Sequence, residues 1–261
     1  MSLSLFDPVF QVLIQVFAFL FGSVFASFFT CMGQRIAEGR DWIKERSVCD
    51  SCGHVLGPLD LIPVFSYLST GGKCRYCGAK IPVRCLITEV LLGVYYVLCV
   101  RTFGLSTETF RCMALSALLL GLSVVDLAIY EIPDGFIIAG IVLWVLTVPF
   151  VQLPWLDEVK RGLAGGLLIG GGMLVLSLIF DRIIGKESLG GGDIKLFFMT
   201  GLFLGPACGL FSLIVSCIVG LLFVVLLKKS KIPFGPAISI AVCTALLIGP
   251  RIVSWYLGLF L

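Results

Sequence analysis

Apolar runs long enough to cross a lipid bilayer follow one another along almost the whole sequence. A transmembrane helix needs about twenty mainly apolar residues, and the first run extends from Pro8 to about Cys31. The other predicted segments lie near residues 86–100, 110–125, 136–151, 163–184, 194–204, 207–227 and 237–259. The segment 194–204 is short because Gly205 and Pro206 interrupt it. The pattern predicts an all-α polytopic membrane protein with about eight transmembrane segments.

The composition agrees with a membrane protein and excludes other classes. Hydrophobic residues make up 59% of the 261 residues and charged residues only 13%, whereas soluble domains contain about 25% charged residues. The net charge of +3 is too small to suggest a nucleic-acid partner, so the lipid bilayer is the expected surrounding. No basic segment precedes the first apolar run, and we therefore expect no cleavable signal peptide.

Residues 33–85 form a polar loop that holds eight of the nineteen Lys and Arg residues. Because positively charged loops remain in the cytoplasm, we expect this loop inside and the N-terminus outside. If the other predicted segments cross the membrane in alternating directions from this loop, fourteen Lys and Arg residues lie on the cytoplasmic side and five on the outer side. The five outside are Arg101, Arg111, Lys160, Arg161 and Arg251. The predicted organisation is a first transmembrane helix (1–32), a cytoplasmic loop domain (33–85) and a transmembrane core (86–261).

Two Cys-x-x-Cys pairs lie in this loop. They are Cys49 with Cys52 and Cys74 with Cys77, and twenty-one residues separate the pairs. This separation is slightly longer than is usual for a four-cysteine structural zinc site, in which four thiolates fill the tetrahedral coordination shell. A small polar segment buries little core, so zinc would supply much of its folding free energy. The alternative is two unrelated redox or buried pairs, and we expect His54 to lie outside the ligand set.

Asp193 lies at the start of an apolar segment and follows three glycines, Gly190 to Gly192. A charged side chain near the bilayer centre costs about 2.5–3.5 kcal/mol. We therefore expect Asp193 near an interface, in a water-filled cavity or in a reaction. Glycines permit close backbone approach, because no side chain projects from Cα. The alternative is a simple turn in which Asp193 is the N-cap of the next helix.

Asp126 is a second carboxylate at the edge of an apolar segment, because it directly follows the apolar run 115–125. The predicted topology puts Asp126 and Asp193 at the cytoplasmic membrane surface, where a carboxylate pair can activate water. Asp134 competes for this role, but it directly follows Pro133 and we expect it to be the N-cap of the next segment. Lys195 is either a charge neighbour of these carboxylates or a lysine that snorkels to the interface.

Four sequence blocks together resemble the type IV prepilin peptidases, the bacterial branch of the Gly-x-Gly-Asp intramembrane aspartyl proteases. Gly190-Gly191-Gly192-Asp193 matches the motif that names the group. Residues 126–134 match the segment that carries the other catalytic aspartate, which is its first Asp. The loop matches around both cysteine pairs and at residues 61–68, and Pro-Phe-Gly-Pro at 233–236 is also typical of the family.

The resemblance implies an aspartic endopeptidase in the bacterial cytoplasmic (inner) membrane. Its substrates would be type IV prepilins or pseudopilins, proteins of pili and protein secretion. Such a protein would carry a short basic leader and a hydrophobic helix, and the leader would be removed at the cytoplasmic face. The resemblance assigns the catalytic roles to Asp126 and Asp193. Family members also N-methylate the new amino terminus with S-adenosylmethionine, an activity associated with the loop. Glu89 matches a family position that would serve this step, or is an interfacial carboxylate, and residues 24–35 depart from the family pattern.

Two carboxylates that share a small site hold one proton between them, because both cannot be charged at low cost. One then removes a proton from water while the other protonates the departing group, and the sequence does not distinguish the two roles. A transporter or channel is the alternative class, since membrane-embedded carboxylates and broken segments also mark ion pathways. A non-catalytic zinc-bearing scaffold is a third. The loop with its cysteine pairs argues against the transporter.

Overall fold

The computed structural model describes residue 3 and residues 7–185, 189–227 and 232–259. Within these ranges the α-helices are α1 (Pro8–Ala37), α2 (Phe65–Ser69), α3 (Val83–Phe103), α4 (Thr107–Ile129), α5 (Asp134–Thr147), α6 (Trp155–Gly166), α7 (Gly172–Ile184), α8 (Gly191–Leu227) and α9 (Gly235–Leu257). Extended pairing in the described residues is limited to two isolated β-bridges in the polar loop. The all-α prediction is confirmed.

Six stretches of described helix are long and apolar enough to cross a membrane. They are Pro8–Ala37, Val83–Phe103, Thr107–Ile129, Trp155–Ile184, Gly191–Leu226 and Gly235–Leu257, and a shorter apolar helix covers Asp134–Phe150. The predicted segments 194–204 and 207–227 both lie in α8. The chain is therefore a multi-pass membrane protein whose helices coincide with the predicted apolar runs.

The chain forms two compact units, Met1–Thr109 and Phe110–Leu261. In the first unit α1 packs along α3, and glycines permit the contact. A Cβ at Gly22 would lie 2.8 Å from the Cα of Gly93, so these backbones approach too closely for larger residues. The Ser23 hydroxyl donates a hydrogen bond to the Glu89 carbonyl at 3.1 Å. Close packing through small residues replaces the hydrophobic driving force that is missing between helices in lipid.

In the second unit α8 packs against α9 and α6, and its course is broken near the middle. Gly205 has φ +71°, a conformation that glycine adopts without steric cost. A Cβ there would lie 2.9 Å from the Arg161 guanidinium. The following Pro206 lacks the N–H that would continue the helix. The predicted interruption at Gly205 and Pro206 is confirmed, and it divides α8 into two halves of different direction.

A buried ion cluster stabilises this break. Glu158 on α6 is fully buried and accepts hydrogen bonds from Arg111 at 2.9 Å and from Arg161 at 2.8 Å. Arg161 also donates to the carbonyls of Phe203 and Leu204, which end the first half of α8. The predicted topology placed Arg111 and Arg161 only by side, among the five positive charges on the outer side of the membrane. In the structure they neutralise a buried carboxylate, because a charge in the protein interior requires a partner.

We expect Glu158→Gln to lower the free energy of unfolding by about 3–5 kcal/mol, because it leaves buried arginine charge without its counter-ion. The neighbouring Asp157→Asn is the matched control. Asp157 is 62% exposed and pairs with Lys160 at 3.9 Å, so its loss should cost less than about 1 kcal/mol. Denaturant unfolding of the purified variants in one detergent gives the comparison. Equal unfolding midpoints for the two variants would show that the cluster does not stabilise the fold.

Candidate active site and metal centre

Asp126 lies near the end of α4 and is buried, with 4% of its surface exposed. Its Oδ2 accepts a hydrogen bond of 2.7 Å from the backbone N–H of Gly235, the first residue of α9. A Cβ at Gly235 would lie 2.6 Å from the same oxygen, so only glycine permits this contact. The sequence patterns did not single out Gly235 as a site residue. The glycine between two prolines at 233–236 is the signal that would have found it.

Asp193 is half-buried in the first turn of α8. The helix begins at Gly191, so the alternative in which Asp193 is the N-cap is wrong. Gly190 and Gly192 each have a spatial reason, whereas a Cβ at Gly191 would meet nothing within 4 Å. A Cβ at Gly190 would lie 3.2 Å from Asp193 Oδ2, and one at Gly192 would lie 2.9 Å from the Cβ of Ile132. Gly192 therefore lets the loop that follows Asp126 pack directly against the start of α8.

The fold brings together the elements that carry Asp126 and Asp193, although sixty-seven positions separate the two residues in the sequence. Ile132, in the loop after α4, packs against Gly192 at the start of α8. Asp126 accepts its hydrogen bond from the start of α9, which packs along α8. Two carboxylates at such a site avoid simultaneous ionisation by holding one proton between them. This arrangement can supply one group that accepts a proton and one that donates a proton.

Asp134 lies beside this site, but it forms an ion pair there and does not cap a helix as predicted. Helix α5 begins at Asp134, and the N-cap is Pro133 without a side-chain cap. The N-cap prediction for Asp134 is therefore wrong. Its Oδ1 is 2.7 Å from Lys195 Nζ, and the side chains are 62% and 56% exposed. Lys195 thus forms an ion pair with Asp134, a carboxylate beside the candidate site.

The four loop cysteines converge on one point. Their sulfur atoms all lie within 4.8 Å of one another, and the Sγ atoms of Cys49 and Cys77 are 3.8 Å apart. Sulfur atoms around a tetrahedral zinc with Zn–S bonds of about 2.3 Å lie about 3.8 Å apart. The four thiol donors and their convergence on one point fit a metal ion. His54 is not in this group, and its ring stacks on Tyr76 with centroids 3.6 Å apart.

Both cysteine pairs use the same local turn. The carbonyl of Cys49 accepts a hydrogen bond from the N–H of Gly53, and the carbonyl of Cys74 accepts one from Gly78. Gly53 and Gly78 have φ +69° and +72°, which favours glycine at both turns. The backbone N–H groups of Cys52 and Ser51 lower the pKa of the Cys49 thiol to about 7. The thiolate, which is the metal-binding form, is therefore accessible near neutral pH.

Glu89 on α3 is buried in the first unit rather than exposed at an interface, with 8% of its surface accessible. Its Oε2 accepts a hydrogen bond of 2.7 Å from the N–H of Val64, a residue whose φ of 63° is unusual for a branched side chain. The carboxylate lines a cavity of about 300 Å³ together with Tyr67 and the cysteines Cys49 and Cys74.

Comparison with known proteins identifies two matching families. Residues 20–103 match the Bacterial Peptidase A24 N-terminal domain, and residues 113–225 match the Type IV leader peptidase family. No solved structure shows a significant match.

Relatives named prepilin leader peptidase/N-methyltransferase align with most of the chain. The Bacillus subtilis (strain 168) protein is 33% identical over 93% of this chain and 98% of its own length. The Aeromonas hydrophila protein is 34% identical over 83% and 76%, and the Pseudomonas aeruginosa protein is 32% identical over 82% and 76%. This chain, with its apolar helices, its four-cysteine cluster and its two aspartates at helix ends, belongs to the family of the prepilin leader peptidase/N-methyltransferases.

Proposed function

We propose that this protein is an intramembrane aspartyl endopeptidase that removes the short basic leader of type IV prepilins or pseudopilins. The observation that carries the proposal is the shared site of Asp126 and Asp193, together with membership of the leader peptidase family. The family's proteins process type IV prepilins. Family membership removes the support for the transporter and scaffold alternatives.

In the proposed reaction, one aspartate removes a proton from water as the water attacks the scissile carbonyl. The other aspartate protonates the departing amine, and the proton held by the pair is restored in the process. The Gly235 N–H holds the Asp126 carboxylate in one orientation, which is the positional control that proton transfer requires. The site therefore needs no group other than its two carboxylates and water.

The four cysteines are proposed to hold one structural zinc ion. Four thiolates complete the coordination of zinc and leave no open position for a substrate. The ion would join the two cysteine turns, whose own apolar core is small. We assign it no step in peptide cleavage.

We also propose that the first unit carries the N-methylation that the relatives' names record. S-adenosylmethionine would supply the methyl group to the new amino terminus. The cavity beside Glu89 fits such a reaction because it contains a buried carboxylate, which attracts an amine or a sulfonium. Glu89 also holds the turn at Val64, so its proposed contribution is to keep the cavity wall in place.

A processing assay tests the peptidase. Membranes that contain the protein are mixed with a prepilin, and the amino terminus of the product is sequenced. We expect loss of the basic leader in the presence of the protein and an intact prepilin without it. An unprocessed prepilin in both samples would contradict the proposal.

We further propose that the protein lies in the bacterial cytoplasmic membrane with its N-terminus outside and the cysteine loop inside, as the charge bias of fourteen to five indicates. Lys44 in the loop and Leu105 in the turn after α3 are both exposed. We expect a membrane-impermeant maleimide to label Leu105→Cys in intact cells, and Lys44→Cys only after permeabilisation. The unmodified chain gives the background of the native cysteines. Labelling of Lys44→Cys in intact cells would reverse the topology.

A further inference from the structure

We propose that an apolar groove beside Asp193 is the docking site for the apolar helix of the substrate, next to the bond that is cut. The proposal rests on the peptidase function proposed above. The groove lies in the second unit between α5, the π-helical turn Leu167–Gly171 and the first half of α8. Its volume is about 510 Å³, and the lining includes Ile137, Ile141, Leu174 and Phe198.

The groove and the candidate active site share the first turns of α8. Ile194 and Lys195 line the groove and directly follow Asp193 in the chain, and Phe198 continues the wall one helical turn further. A segment lying in this groove would thus run along the first half of α8, with one end at the helical turn that carries Asp193. That is the direction required of a membrane helix whose end is presented to Asp126 and Asp193.

Two glycines shape the opposite wall. Gly170 faces Phe198, since a Cβ there would lie 2.6 Å from the Cβ of Phe198, whereas a Cβ at Gly171 would meet nothing within 4 Å. Gly171 therefore faces open space in the groove. Small residues on a helix surface permit close approach of a second helix within a membrane, and π-helical turns are frequent at functional sites.

The charges at the end of the groove match a basic leader better than a lipid headgroup. Residues 126–134 and 189–195 contain four carboxylates, Asp126, Glu131, Asp134 and Asp193, and one cation, Lys195. Asp134 and Lys195 line the groove and form an exposed ion pair. An exposed pair is weak, so a leader lysine or arginine can replace Lys195 on Asp134. A phospholipid phosphate would instead face repulsion from the carboxylates.

Photo-cross-linking tests the occupant directly. A benzophenone amino acid replaces Leu174, a half-exposed residue of the groove lining, or, as the matched control, the adjacent Val175, which is exposed outside that lining. Both variants carry Asp193→Asn, so that the prepilin stays uncleaved. We expect a cross-link from position 174 to the apolar helix of the prepilin and none from position 175. Cross-links from position 174 only to lipid, or none to the prepilin, would overturn the proposal.

Filling the groove gives a second, kinetic measurement. We expect Gly171→Leu to raise KM for a prepilin about tenfold, because the leucine displaces roughly two methylene groups of buried contact. Gly172→Leu should match the wild type. Equal KM values for the two variants would overturn the proposal. A cross-link from the groove position, together with wild-type protein that leaves the prepilin uncleaved, would contradict the peptidase function alone. Cleavage by the wild-type protein without a cross-link from the groove position would contradict the groove alone.

Discussion

Asp126→Asn and Asp193→Asn are each expected to lower kcat for prepilin cleavage by more than about a thousandfold, because residues that act as a unit fail together. For the same reason, the double variant should be no slower than either single variant. Asparagine preserves the size of the side chain but cannot exchange the proton that the pair must hold. The measurement is the rate of leader removal from one prepilin at equal amounts of membrane-inserted enzyme.

Asp134→Asn is the matched control for these variants. It removes a carboxylate beside the same site, but that carboxylate is exposed and paired with Lys195. Loss of an exposed ion pair is worth less than about 1 kcal/mol, so kcat should change by less than about fivefold. If Asp134→Asn abolishes cleavage and Asp126→Asn does not, the first catalytic residue is Asp134. Normal cleavage by both Asp126→Asn and Asp193→Asn would contradict the protease mechanism itself.

Purified protein is expected to contain about one zinc ion per chain, because the four cysteine sulfurs already have the spacing of a tetrahedral site. Replacing any one of Cys49, Cys52, Cys74 and Cys77 with serine should release most of this zinc. Zinc contributes about 10–16 kcal/mol to the folding of small zinc-finger peptides. We therefore also expect rapid proteolysis within residues 33–85 in each serine variant.

Cys217→Ser is the control for the zinc experiment. Cys217 is an exposed cysteine of α8 outside the cluster, and its replacement should leave both the zinc content and the proteolysis rate unchanged. Elemental analysis of the purified proteins measures the metal, and limited proteolysis measures the loop. Wild-type protein that contains no zinc and whose loop resists proteolysis would show that the cysteines do not bind a structural metal ion.

Features that depend only on residues adjacent in the sequence were predictable from the sequence. The apolar runs predicted the helices, because insertion into lipid depends on the hydrophobicity of each segment. The interruption of α8 was predictable because Gly205 and Pro206 act on their own backbone. The two cysteine turns repeat one short pattern, so their geometry also follows from local sequence.

Tertiary structure alone decided which charged groups meet. Asp134 was expected to be an N-cap, yet it pairs with Lys195 on another helix. Arg111 and Arg161 were expected only to lie on the outer side of the membrane, yet they surround a buried Glu158. A charge in a membrane protein is placed where an opposite charge or an N–H group reaches it, and such partners are distant in sequence. For the same reason, only the fold identifies the Gly235 N–H as the group that orients Asp126.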